Sequence, residues 1–357
     1  MVSENFKNKI QRLELENFTC FSRATFDFSS GINVFIGENG TGKTHVLKAI
    51  YGTSHPVSDM QVKPHPSESD TNNVSFNPYF FIEGLGLTFG ANVLWLDLVR
   101  DKKKKTSFTL TFDEKLEFGL SFSNAGLSDL KLTISEMDIS TPLYLPPYEI
   151  LSSNKTMSSD KISFDLSIAL NKETAGKSSD LVHIFKKIVD VEVSKEEGVF
   201  YVEDKDGKKV KAAMNATGIN KLAELMRCLQ NGSLTKNTIL CWDEPEVSLN
   251  PRYIKIVAKF LQTLAKNGVQ IFVATHDYLL VHLLSLDAEY QQVTDAPPMK
   301  FFALTKGENG TEVESADTIA GITNNALLDE YSAYSTSVPF SPFVKAKNFM
   351  GGASVTC

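Results

Sequence analysis

The alternation of hydrophobic and polar positions is sharpest near the start of the chain. IQRLELENF at 10–18, ATFDF at 24–28 and GINVFIG at 31–37 alternate or run apolar over strand lengths, which predicts three β-strands. The third ends in a glycine-rich loop, and THVLKAIY from Thr44 to Tyr51 carries the spacing of a helix opening from that loop. Residues 53–75 are rich in Ser, Pro, His and Asp, show no period, and read as a loop. Between 92 and 146 the period returns to two. VLWLDLV, SFTLTF, LEFGLSF, LKLTI and PLYLPP predict further strands, most of them half-buried and antiparallel.

Residues 165–190 read as helical, with the apolar stripe in DLVHIFKKIVD, and VEVS and VFYVED before the turn DKDGK predict a hairpin. The stretch 219–230 gathers Ile219, Leu222, Leu225, Met226 and Leu229 on one helical face. Strand and helix then alternate: TILCW, a helix from Pro251, VQIFVAT, a helix from about Tyr278, and KFFALT. This layout predicts an α/β fold whose parallel core is split between the two ends of the chain, with a more antiparallel, partly helical region inserted. No internal repeat or heptad run is present, so no long coiled coil is expected.

Composition narrows the class without naming it. The 357 residues are 42% hydrophobic and 22% charged. No apolar run approaches the roughly 20 residues of a membrane span. MVSENFKNKIQRLELENF lacks the apolar centre of a secretory signal, so the expected location is cytoplasmic. Cys20, Cys228, Cys241 and Cys357 form no C-x-x-C pair, which argues against a disulfide framework or a structural zinc. A net charge of −7 does not indicate a surface that attracts DNA or RNA as a whole. The basic run Lys102–Lys105 reads as a solvated hairpin tip, with a local nucleic-acid patch as the alternative.

The candidate chemistry begins at GENGTGKT, 37–44, which satisfies G-x-x-x-x-G-K-S/T between a strand and a helix. Its glycines let backbone N–H groups converge on a phosphate, and the following helix aims its positive end at the same anion. Lys43 is expected to reach the β- and γ-phosphates, and Thr44 to offer its hydroxyl to magnesium. The pentapeptide GENGT recurs at 307–311 but continues as EVE, with no Lys–Thr pair and with Glu312 and Glu314 to repel a polyphosphate. That copy reads as a hairpin turn signalled by Asn309-Gly310. In TILCWDEPEVSLNP, 238–251, an apolar strand ends in Asp243, placed for the magnesium shell, and Glu244, placed to polarise a water. Asn250-Pro251 reads as a helix start.

GENGTGKT, then WDEPEVSLNP, then ATHD, in this order, resemble the ATP-binding-cassette branch of P-loop ATPases, and within it the RecF, SMC and OLD-type proteins rather than the transporters. LELENFTCFSRATFDFSSGINVFIGENGTGKTHVLKAI is similar to the opening of that group. DEPE with LNP, and ATGINKLAELMRCLQNGSL before it, resemble bacterial stand-alone AAA-type ATP-binding proteins, often encoded in anti-phage systems such as PARIS, Septu and some retrons. The resemblance is close over about 1–52 and 212–305 and holds for the middle only by layout.

It implies an ABC-ATPase head with a split P-loop core, an antiparallel β lobe, and a short helical insertion in place of a coiled-coil arm. The implied division is an N-terminal lobe 1–149, an insertion 150–212, a C-terminal lobe 213–337 and an irregular tail 338–357. ATP and Mg2+ are the implied cofactors. Gly37, Glu38, Asn39, Gly40, Thr41, Gly42, Lys43, Thr44 and His45 would hold ATP, with Thr44 and Asp243 on the metal, and Glu244, His276 and Lys43 catalytic. His276 would contact the γ-phosphate.

A head-to-tail homodimer would bring Asn215, Thr217 and Gly218 of the second subunit onto that ATP, with Ser248, Leu249 and Asn250 as the interface loop. Where the family carries a glutamine loop this chain has Pro146, Pro147, Tyr148 and Glu149, and Gln61 lies too early, inside the polar loop. The expected function is an ATP-driven dimeric switch governing a separate effector, a nuclease or toxin, in anti-phage defence. The alternatives are a DNA-clamping ATPase of DNA maintenance and an ATP-dependent assembly scaffold with little hydrolysis.

Overall fold

A computed structural model describes residues 9–62, 79–113, 116–123, 126–133, 141–153, 160–174, 180–189, 191–204, 206–289 and 296–325. The expected tail, 338–357, and most of the Ser/Pro-rich stretch lie outside these residues. Along the chain, β1 (Arg12–Phe18), β2 (Phe21–Asp27) and β3 (Ile32–Gly37) lead into helix α1 (Lys43–Val62) and then α2 (Tyr79–Phe89). β4 (Thr106–Asp113), β5 (Leu116–Ser123), β6 (Gly126–Thr133) and β7 (Thr141–Leu145) come next. They are followed by α3 (Lys161–Asn171), α4 (Asp180–Val189), β8 (Val191–Glu196), β9 (Val199–Asp204) and β10 (Lys209–Lys211). After these come α5 (Thr217–Gln230), β11 (Thr238–Asp243), α6 (Pro251–Lys266), β12 (Gln270–Ala274), α7 (Tyr278–Glu289), β13 (Met299–Gly307) and β14 (Gly310–Ala316).

The strands that carry the site form a six-stranded sheet in the order β14-β13-β3-β12-β11-β7. All its ladders are parallel except β13–β14. β3, β11 and β12 are buried at every residue, which is why they read as continuous apolar runs rather than alternating ones. On one face Ile32, Val34 and Ile36 share a core with Leu222 and Leu225 of α5 and Val257 and Leu261 of α6. On the other face lies an antiparallel sheet, β2-β1-β4-β5-β6. The gap between the two sheets is filled by aromatic rings: Phe28 meets Phe272 edge-on with centroids 4.9 Å apart, and Phe35 stacks on Phe302 at 5.2 Å. The α/β class, the split parallel core and the antiparallel lobe are therefore as expected.

Several local expectations change. VLWLDLV is no strand: Trp95–Leu98 wind into a 3₁₀ turn, closed by Asp97 Oδ2 accepting the Leu94 N–H at 2.9 Å. PLYLPP leaves the antiparallel lobe and pairs parallel with β11, because Leu143 and Leu145 belong to the helix-side core of the main sheet. Helix α1 runs through Val62, so Gln61 falls in its last turn rather than in a loop. Within it the hydroxyls of Thr53 and Ser54 donate to the carbonyls of Ala49 and Ile50, which satisfies polar side chains inside a helix. The helical stretch 165–190 divides into α3, N-capped by Asp160, and α4. The expected hairpin forms as β8–β9, and β10 extends it to a three-stranded sheet, so the insertion is helical only in part. The turn of the second GENGT is Glu308-Asn309, one residue earlier than its signal, with Gly307 paired to Gly310 and Gly310 at φ +120°.

Candidate functional site

The glycine loop is shaped by what packs behind it. Gly37 and Gly42 sit at φ +142° and +101°, in the region that favours glycine. A Cβ on Gly37 would lie 2.2 Å from the Leu304 carbonyl oxygen, and one on Gly42 would lie 2.4 Å from Cys20 Sγ. Helix α1 opens at Lys43, so the N–H groups of Lys43, Thr44 and His45 have no partner within the helix, while that of Val46 is bonded to the Gly42 carbonyl at 3.0 Å. Lys43 is buried, and its Nζ donates to the carbonyls of Gly37 at 2.8 Å and Glu38 at 2.9 Å. Burial lowers its pKa, while the nearby carboxylates of Glu244 and Asp243 pull it back up. The side chain of His45 packs edge-on against Phe89 at 5.3 Å.

Thr44 and Asp243, far apart in sequence, meet: Thr44 Oγ1 donates to Asp243 Oδ1 at 3.1 Å. Tyr144, brought alongside by the β7–β11 ladder, donates its hydroxyl to Asp243 Oδ2 at 3.2 Å. Burial raises the Asp243 pKa, and the bond from Thr44 works against that rise. A hydroxyl and a carboxylate are the oxygen donors magnesium takes, the remainder coming from phosphate and water. Among the described residues no group of three or more His, Cys, Asp and Glu gathers for a metal. The oxygen pair of Thr44 and Asp243 fits magnesium carried in with a nucleotide.

Glu244 lies at φ +45°, outside the conformations a glutamate prefers, and its N–H is tied to the Ala274 carbonyl at 2.8 Å. This aims its carboxylate at the end of β12, where His276 Nδ1 stands 3.3 Å from Glu244 Oε1. Glu246, which sequence reasoning passed over, completes the cluster. It is buried, accepts the His276 N–H at 3.2 Å, and lies 3.6 Å from Nδ1. Burial raises its pKa.

A second overlooked group is Lys221 of α5. Its buried Nζ donates to three carbonyls, those of Glu244 (2.9 Å), Pro147 (3.0 Å) and Val247 (3.3 Å). Burial brings its pKa down to about 8. One turn later Glu224 accepts the N–H groups of Ile150 (2.5 Å) and Leu151 (3.0 Å), and burial lifts its carboxyl to about 8. Helix α5 thus grips residues 147–151, the segment standing where a glutamine loop was sought. The available signal was a lysine and a glutamate set among Leu222, Leu225 and Met226.

The region expected to face a second subunit is assembled locally. Thr217 is exposed and is the first helical residue of α5; the N-cap is Ala216, which has no capping side chain. Asn215 donates to Asn220 Oδ1 at 3.1 Å. Gly218 is buried, and a Cβ there would lie 2.5 Å from the Ser248 carbonyl oxygen and 2.8 Å from Leu249. Asn250 caps α6 by accepting the N–H groups of Arg252 and Tyr253.

A split parallel core that holds a glycine loop against an Asp-Glu strand end, with an antiparallel lobe on one face, defines the head of a P-loop ATPase of the RecF/SMC type. Residues 32–282 match the family described as "AAA domain, putative AbiEii toxin, Type IV TA system", and the chain belongs to that family. Over 49 residues it is 55% identical to the DNA replication and repair protein RecF of Flavobacterium johnsoniae, a stretch that is 14% of either chain. Over 42 residues it is 45% identical to RecF of Streptococcus suis, 12% of either chain. The chain thus spans a small part of the curated relatives it matches. The SMC head domain from Thermotoga maritima superposes with a TM-score of 0.52 at 12% identity, over 86% of this chain and 99% of that one. An Smc head with an extended coiled coil bound to the C-terminal domain of ScpA, from Pyrococcus furiosus, gives 0.54 at 12%, over 86% and 96%. These structural likenesses are of fold. No helix among the described residues is long and apolar enough to cross a membrane.

Proposed function

We propose that this chain is an ATP-hydrolysing switch that works as a head-to-tail homodimer in the cytoplasm and controls a separately encoded nuclease or toxin in anti-phage defence. The observation that carries the chemistry is the convergence of Thr44–Asp243 and Glu244–His276 beside one glycine loop. Backbone N–H groups of 38–45 and Lys43 bind and orient the phosphates. Thr44 and Asp243 would hold magnesium, which would neutralise phosphate charge. Glu244 takes a proton from the attacking water as its oxygen bonds to the γ-phosphorus and the bond to the β-γ bridging oxygen breaks. His276 donates to the γ-phosphate. Asn215, Thr217 and Gly218 of a second copy cover the nucleotide, with Ser248–Asn250 at the seam. In this reading 1–149 and 213–337 are the two lobes of one head, and 150–212 stands in for the arm. The family description, "putative AbiEii toxin, Type IV TA system", supports a toxin–antitoxin setting without naming a separate effector.

The test is Glu244→Gln. With ATP it accumulates as a dimer on size-exclusion chromatography; a variant that stays monomeric removes the sandwich. A second reading, a DNA-clamping ATPase, draws on a cleft of about 630 Å³ lined by Arg100, Lys104 and Lys105 together with Glu16 and Asp101. The exposed run Lys102–Lys105 lies after the 3₁₀ turn rather than at a hairpin tip. That reading requires DNA binding that weakens with salt and with neutralisation of Lys104 and Lys105; a flat titration at low salt eliminates it.

A further inference from the structure

The two copies of GENGT touch through their last letters. Thr311 is buried in β14, and its Oγ1 donates to the backbone carbonyl of Thr41, in the glycine loop, at 2.9 Å. Its own N–H is bound to the Cys20 carbonyl at 3.1 Å, which fixes Thr311 in place. Thr41 turns its side chain the other way, onto the Glu38 carbonyl at 2.9 Å. Only Cys20 Sγ, at 3.6 Å and a weak donor, also approaches the Thr41 carbonyl among the bonds of the described residues.

The carbonyl that Thr311 holds belongs to the Thr41–Gly42 peptide, whose N–H is one of those the glycine loop can offer to an anion. A trans peptide is planar, so its C=O and N–H point in opposite directions, and fixing one fixes the other. Gly42 lies at φ +101° and has no Cβ to resist rotation of that peptide. Flipped, the peptide would present an oxygen instead of an N–H to a phosphate, exchanging attraction for repulsion.

We propose that Thr311 is a positioning residue for the nucleotide: its hydroxyl holds the Thr41 carbonyl outward and thereby keeps the Gly42 N–H aimed into the phosphate cradle. The inference rests on reading the glycine loop as the ATP site. It assigns the second GENGT a task. That copy binds no phosphate but sets the polarity of the copy that does. Gly310 belongs to the same contact, since a Cβ there would lie 2.8 Å from the Cys20 carbonyl oxygen, and only glycine lets β14 approach so closely.

Thr311→Val keeps the shape and the strand preference and removes only the donor. Titration of the full chain with a fluorescent ATP analogue should show affinity falling about tenfold, the size of one buried hydrogen bond. In turnover, KM should rise with kcat unchanged at saturating ATP. Thr311→Ser, which restores the hydroxyl, should restore affinity; a merely packing role would not be rescued by the smaller residue. Wild-type affinity in the valine variant, or equal weakening in the serine variant, overturns the inference and leaves the ATP reading intact. A wild-type chain that binds no ATP overturns both.

Discussion

Strands β3 and β13 are parallel neighbours with Gly37 opposite Leu304, so both GENGT segments lie at the same end of these strands. The first continues into α1, whose opening turn presents free N–H groups, and Lys43 folds over it. The second reverses through Glu308-Asn309 into β14, where Glu312 and Glu314 follow. Five shared letters supply a turn in each case. What separates a phosphate cradle from a hairpin is whether the chain that follows becomes a helix or a strand, and whether a lysine or a glutamate rides on it.

Three experiments would break or sharpen that contrast. The largest effect is expected at the lysines: Lys43→Ala should lower kcat/KM for ATP roughly 100-fold or more. Lys306→Ala, whose ammonium lies 4.0 Å from Glu38 in an exposed pair, should stay within about twofold. Equal losses in a phosphate-release assay would erase the distinction between the copies. Next come the glycines. Gly42→Ala meets Cys20 Sγ and Phe21 at an unfavourable φ and should cost about 2–4 kcal/mol by urea denaturation. Gly307→Ala meets the movable Glu312 side chain and should cost under about 1 kcal/mol. A tolerant Gly42 would mean the loop is not tightly backed. Smallest is Lys221→Met, which asks how much of the site is held from α5. It should reduce kcat about tenfold while ATP affinity stays within about twofold, and an unchanged kcat would remove Lys221 from the machinery.

The parts of the site that could be read in advance are those where a short motif coincides with a change of period. GENGTGKT lies where a strand becomes a helix, DEPE where an apolar strand stops, and ATHD just past the next strand. The structure brings these three together. The parts that could not be read depend on partners distant in sequence. Nothing local marks Tyr144 as the donor to Asp243, because that follows from β7 joining the parallel sheet, and PLYLPP alternates like its antiparallel predecessors. Lys221 looks like a solvated helix charge until the carbonyls of Pro147, Glu244 and Val247 are seen around it. Glu246 was hidden beside the acid pair, since burial rather than spacing turns it toward His276. The 3₁₀ turn at Trp95–Leu98 shows the same limit, with Asp97 closing a local ring that strand-like letters do not announce.

Strand β3 is bordered by β12 and β13 and by no strand near it in sequence. This arrangement has a consequence for how the chain is made. A ribosome delivers the phosphate loop before the strands that flank its root, which begin only at Gln270 and Met299. Fragments that stop short of these strands carry the glycine-loop motif without the strands that border it. Possession of a working site therefore certifies that synthesis has reached the far end of the head.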